Sequence, residues 1–165
     1  MSAASWFEAP PLRAARLRLD ALRLADAPAF LAALGSPEER AEVVAHLRVP
    51  QVTDVRGAGA VIAAALTDPD RIAYATRLAD GTFVGTTSFY EIAPGLRAVA
   101  IGHTWVARPW WRTFVNTESK LAMLTRAFDG LGAERVVWHT DIRNVRSQEA
   151  IARLCLLYTS DAADE

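Results

Sequence analysis

The chain has 165 residues, 52% of them apolar, and a formal net charge of -1. That length suits one globular domain, the near-neutral charge gives no reason to expect nucleic acid as a partner, and no apolar run approaches the ~20 residues of a membrane helix. The N-terminal stretch Met1–Trp6 lacks a basic start and a long apolar run, so it does not read as a signal peptide and a soluble, cytoplasmic protein is expected. Cys155 is the single cysteine, which excludes an intrachain disulfide.

In chain order, Leu17 and Leu19 alternate with Arg16, Arg18 and Asp20, which predicts a first strand ending near Leu19. Asp26 is expected to cap a helix over Ala27 to Leu34, with Pro28 in its first turn and Gly35 at its end. Ser36-Pro37-Glu38-Glu39 restarts a helix to about Ala45, its acids facing the helix dipole. After a break at His46–Pro50, Thr53 or Asp54 opens another helix through Leu66. Ile72 to Leu78 and Thr82 to Ile92 read as strands around an Asp80-Gly81 turn, with Gly85 a candidate bulge. Arg97 to Ala107 completes an antiparallel meander.

The next helix carries Leu121, Leu124, Thr125, Phe128 and Leu131 at three- and four-residue spacings, read as one buried stripe, with Gly132 as its stop. A short strand follows over Arg135 to Thr140, then a loop, then a helix over Arg146 to Leu154. A helix between two strands makes a crossover, which joins parallel neighbours. The fold class is therefore mixed α/β: a mostly antiparallel central sheet flanked by helices, with one parallel strand after the crossover helix. No repeat or linker marks a second domain, so residues 1–154 read as one. Residues 155–165 resemble the translation of a transposase adapter used to build sequencing libraries. They are expected to be a non-native tail, with the natural domain continuing beyond Leu154 and its last strands missing.

The stretch Trp110 to Lys120 carries the chemistry. A strand that turns sharply into a helix leaves backbone N–H groups unpaired, and the helix dipole adds partial positive charge, so phosphate is a natural guest. The three histidines, His46, His103 and His139, lack metal-ligand spacing, and no metal is expected. No Ser-His-Asp or Cys-His set is recognisable.

The combination of Ile101-Gly102-His103-Thr104-Trp105-Val106, Arg112-Thr113-Phe114-Val115-Asn116-Thr117-Glu118-Ser119-Lys120, Arg135-Val136, Asn144-Val145-Arg146-Ser147 and Ala150-Ile151-Ala152-Arg153-Leu154 resembles the GNAT superfamily of N-acetyltransferases, in its RimJ/RimL-like branch. Arg16-Leu17-Arg18-Leu19 followed by Asp26 fits that branch's opening. The resemblance implies acetyl-CoA as co-substrate and direct transfer of acetyl to a primary amine, on a protein N-terminus or a small molecule. It implies that Arg112, Thr113, Phe114, Val115, Asn116 and Thr117 hold the pyrophosphate. Thr104, Trp105 and Val106 would pair with the pantetheine arm like an added strand, a backbone N–H near Val106 facing the thioester oxygen. Asn144 would fix the pantetheine side of the cleft, and Ser147 would donate to the leaving sulfur.

Other readings stand beside these. Asn144 and Ser147 also fit a plain helix cap. His103 is a candidate base, with an ordinary pKa of about 6.5; strict alternation also makes it a buried strand histidine on the face of Ile101 and Trp105. Glu91 is a second candidate base. His46, Arg48 and Trp110 are candidates for the acceptor border, and a homodimer is left open. Two departures from the family pattern matter: Phe114 stands where glycine is usual, and Ala100 where relatives often have an acid. Phe114 and the missing last strands keep a second function class in view, a module or fragment that binds acyl-CoA without turnover, which a thiol-release assay on a panel of amines would distinguish.

Overall fold

The computed structural model describes residues 3–47 and 52–154. Residues 48–51 and 155–165, with Arg48 and the adapter-like tail, lie outside the described residues. A six-stranded sheet runs in sequence order: β1 (Leu12–Arg13), β2 (Leu17–Ala21), β3 (Arg71–Leu78), β4 (Phe83–Ala93), β5 (Ala98–Val106) and β6 (Arg135–Val137). The first five are antiparallel, and β5 pairs with β6 in parallel. The expected mixed sheet and crossover are therefore present. The two-residue β1 carries no alternation that sequence reading could use.

Helices α1 (Ala27–Leu34), α2 (Pro37–Val44) and α3 (Val55–Thr67) are α-helical. They contribute Phe30, Leu34, Val43, Ala58 and Ile62 to one core, against Ala73, Ala75, Phe83 and Trp105 of the sheet. On the opposite face, α4 (Phe114–Thr125) packs Val115, Ala122 and Met123 against Leu19, Tyr74, Val84, Phe89 and Ile101. The last helix, α5, spans Val145–Ala152. Burying each large apolar side chain contributes about 1.5–3 kcal/mol, so both faces of the sheet are held.

Local chemistry explains the boundaries. Ser36 accepts from the Glu39 N–H, and the Glu39 carboxylate accepts from the Ser36 N–H, a reciprocal cap for α2. Asp54 accepts from the Gly57 N–H at 2.7 Å and caps α3. Asp26 does not cap α1. It sits in helical conformation with no side-chain cap bond, its carboxylate accepting instead from the Arg23 N–H and from Arg77. An ion pair between β3 and the head of α1 takes the place of the expected cap.

The stripe expected on α4 is also displaced. Leu121 and Phe128 are exposed, at 61% and 45%, whereas Val115, Ser119, Lys120, Ala122, Met123 and Ala127 are buried, along with Leu131. The sheet opposite presents Thr87 and Thr104 hydroxyls, and these accept Lys120 where an apolar pattern would place a leucine. A π-helical turn over Arg126–Gly130 then ends the helix ahead of Gly132, whose φ is 68°.

Candidate functional site

The site forms where β5 leaves β6. Pairing between them covers only Ala98 to Ala100 on β5. From Ile101 to Val106 no strand among the described residues pairs with that edge of β5. A bulge sits at the same place: Thr86 faces Trp105 and Ser88 faces Gly102, so Thr87 alone opposes His103 and Thr104. His103 takes a φ of 48° there, a conformation that non-glycine residues adopt rarely and often at functional sites.

The bulge reverses the alternation. Ile101 lies in the α4-side core and Trp105 in the α1–α3-side core. His103 is therefore not the buried partner of Ile101 that strict period-two reading gives. It is exposed, stacked edge-on against Tyr90 at 5.0 Å, and lines an apolar pocket with Trp105, Thr86 and Arg71. Its pKa lies below the ordinary value, first because it is partly desolvated and second because the Arg71 cation is near. Glu91, also at φ 48°, is engaged with His139 at 3.1 Å on the exposed side of Tyr90.

Thr104 turns the other way. Its hydroxyl lies 2.8 Å from the Thr87 hydroxyl and accepts from Lys120 Nζ at 2.6 Å. Only the backbone of Thr104 remains for a ligand. Trp105 is buried edge-on against Phe30 at 4.9 Å. The Ala107 N–H donates to Val84 at 2.8 Å, toward β4, so alternation aims the Val106 N–H at the open edge. The Val106 carbonyl, on that open side, accepts from the Trp111 indole at 2.6 Å.

The turn from β5 into α4 leaves donors free. Arg112 takes a φ of 59°, and Thr113 caps the helix weakly, accepting from the Val115 N–H at 3.4 Å while donating to the Trp110 carbonyl at 2.7 Å. In α2 and α3 the cap carbonyl accepts the first helical N–H, Arg40 to Ser36 and Ala58 to Asp54. No equivalent bond joins Thr117 to Thr113. Among the described residues, the N–H groups of Arg112, Thr113, Phe114, Asn116 and Thr117 have no acceptor. The Phe114 ring stacks edge-on with Trp110 at 6.0 Å, with the Arg16 guanidinium 3.8 Å from its centre. Phenylalanine thus occupies the glycine position with its side chain engaged by the protein.

The head of α5 reaches the same end of the sheet. The Arg146 guanidinium lies 3.8 Å from the centre of a Trp111 ring, and that tryptophan is bonded to Val106. Asn144 accepts from the Ser147 N–H at 3.0 Å, so its carbonyl oxygen serves as the helix cap. The Ser147 hydroxyl makes no hydrogen bond among the described residues. The fold thus brings His103, Val106, Arg112–Thr117 and the α5 head to one end of β5. His46 is exposed on the turn after α2, close enough to Asp141 to act on its charge.

Sequence reading missed Arg71 and Lys120 as site-side groups. Arg71 precedes Ala73 and Ala75 at period two, a charge continuing an inward apolar face. Lys120 lies in the motif, but an apolar stripe on Leu121 and Leu124 places it outside the core that buries it. No group of three or more His, Cys, Asp or Glu able to hold a metal occurs among the described residues. No described helix is long and apolar enough to cross a membrane.

Fold and site together define a mixed α/β protein whose candidate centre is a splayed strand pair beside an anion-receptive helix start. The family model for the acetyltransferase (GNAT) domain matches residues 16–155, and the chain belongs to that family. The protein is accordingly an acyltransferase by fold and family. It is 31% identical to a solved structure from T. thermophilus described as an acetyltransferase, with a TM-score of 0.77 over 87% of this chain and 73% of that one. Another structure described as an acetyltransferase is also 31% identical, with a TM-score of 0.79 over 88% and 72% of the two chains. RimJ of Mycobacterium smegmatis, in complex with CoA-disulfide, shares the fold at 20% identity and a TM-score of 0.70, over 91% and 76%. No curated protein matches the sequence.

Proposed function

We propose that the protein is an acetyl-CoA-dependent N-acetyltransferase that moves acetyl directly to a primary amine, with residues 1–154 acting as one domain. The observation that carries this reading is the row of unpaired N–H groups between Arg112 and Thr117, close to the Val106 N–H at the open edge. A diphosphate fits such a row, because several donors and the helix dipole converge on one anion. RimJ of Mycobacterium smegmatis, which shares the fold, is solved in complex with CoA-disulfide, in keeping with a CoA-type ligand for this fold.

Acetyl-CoA supplies the activated carbonyl; the chain's residues do the rest. Arg112 to Thr117 bind the diphosphate, and Thr104 to Val106 offer a strand edge to the pantetheine arm. The Val106 N–H donates to the thioester oxygen, where negative charge grows during attack. The amine must be neutral to attack. His103, held neutral by desolvation and by Arg71, takes its proton. The carbon–nitrogen bond forms, the carbon–sulfur bond breaks, and the Ser147 hydroxyl donates to the departing sulfur.

The test is a CoA titration together with thiol release on a panel of amines. His103→Gln should lower turnover by roughly 100-fold or more, the usual worth of a positioned base, while CoA affinity stays unchanged. Failure of the wild type to bind CoA would end the proposal. Binding without thiol release from any amine would leave an acyl-CoA-binding module instead.

A further inference from the structure

We propose that the pocket beside His103 selects an acceptor carrying a carboxylate next to its amine on a compact apolar body, in the manner of a free apolar amino acid, and that Arg71 binds the carboxylate. The inference rests on the acetyl-transfer reading only for the fate of the amine; the binding claim stands by itself.

The pocket walls are apolar: Leu22, Phe30, Val44, Leu47 and Ile62 come from the α1–α3 side, with Trp105 from the sheet. Three polar residues, Arg71, Thr86 and His103, share its lining, and no acid does. The Arg71 Nε donates to the Ser88 hydroxyl at 2.9 Å, fixing the guanidinium along β3. Its two terminal nitrogens have no hydrogen bond and no ion pair among the described residues. Asp68 is felt through space but makes no bridge to Arg71. Burial pulls the Arg71 pKa below its ordinary value, the mark of a cation partly stripped of water without a matching anion.

Those features define a ligand. A planar guanidinium with a free edge pairs with a carboxylate through two parallel hydrogen bonds. Apolar walls lower the local dielectric and strengthen that pair. A polycationic amine finds the Arg71 cation and no acid in the pocket lining. A peptide N-terminus presents a neutral amide where the carboxylate would sit, leaving Arg71 unanswered. A free amino acid places its amine one carbon from the carboxylate, and Arg71 and His103 line the same pocket. Of the two acceptors that sequence reading left open, the pocket favours the small one.

The test uses the full chain loaded with CoA and isothermal titration with L-leucine, 4-methylpentanoate, L-leucinamide and 3-methylbutylamine. Leucine and 4-methylpentanoate should bind on the order of 10- to 100-fold more tightly than the two ligands lacking a carboxylate, the usual worth of a charge-assisted bond. Arg71→Met should erase that gap, and Arg71→Lys should restore part of it. Equal binding of all four ligands by the wild type, or no binding of any, overturns the proposal without relying on a variant. So does a gap that survives in a folded Arg71→Met protein. Thiol release is measured in parallel. If carboxylates bind selectively but no amine is acetylated, the acetyl-transfer reading fails while the Arg71 assignment holds.

Discussion

Lys120 carries the sharpest tension at the scale of single residues. It is 4% exposed, its Nζ donates to two threonine hydroxyls, and no carboxylate pairs with it among the described residues. Desolvation pulls its pKa down to about 7. In the unfolded chain lysine titrates at about 10.4. Between those values the unfolded state binds more protons, so this group makes stability rise with pH from about 7 to about 10. At and below about pH 7 the cost of holding the buried cation is complete. Lys120→Met removes that cost and keeps the length of the side chain. Thr87 and Thr104 still satisfy each other at 2.8 Å. Lys120→Met should therefore be more stable than the wild type by up to a few kcal/mol at pH 6 to 7. The margin should shrink steadily toward pH 10. Urea unfolding across that range checks it, and a margin that does not change with pH would refute it.

Two bulges set the geometry at the scale of elements. The one in β5 exposes His103 and turns Thr104 inward. The other is at Val84 of β4, beside Gly85, where a Cβ would meet the Trp105 carbonyl oxygen at 2.1 Å. That neighbour is backbone and cannot swing aside. Gly85→Ala should push β4 from β5 beside the open edge and cost about 3 kcal/mol or more. Denaturant unfolding reads the loss, and a wild-type midpoint would show that the strands yield. The elements also show where sequence reading succeeds. The reciprocal Ser36–Glu39 cap, Asp54 and Gly132 act locally, so α2, α3 and the end of the crossover helix were readable to within a residue or two. Asp26 was misread because its partner, Arg77, lies 51 residues away and on another strand. The α4 stripe was misread because hydrophobicity ranks Leu121 above Ser119, while the facing sheet supplies hydroxyls. The reversal at His103 needed one inserted residue, which alternation cannot register. The free donors of Arg112 to Thr117 were readable because unpaired N–H groups follow from a strand-to-helix turn alone; the surroundings of Arg71 were not, because the pocket it lines is assembled by three distant helices.

Considered whole, the molecule is a sheet with a core on each face and one weakly guarded side. Among the described residues β6 is the last strand of the order, three residues long, with no partner on its outer edge. An unpaired edge offers backbone donors and acceptors to another chain. Elsewhere on the surface, the crossover helix and the π-helical turn that ends it expose Leu121 and Phe128, at 61% and 45%. The net charge of -1 supplies little repulsion between copies. These features act together, so the protein should self-associate as its concentration rises. Sedimentation velocity over a hundredfold concentration range should show the weight-average mass climbing above that of one chain. Leu121→Lys with Phe128→Lys adds charge to the outward faces of α4 and of the π-helical turn without touching either core, and should reduce the climb. If the double variant associates as strongly as the wild type, the strand edge alone drives assembly. A monodisperse monomer at every concentration would show that three residues of open edge are too short to template pairing.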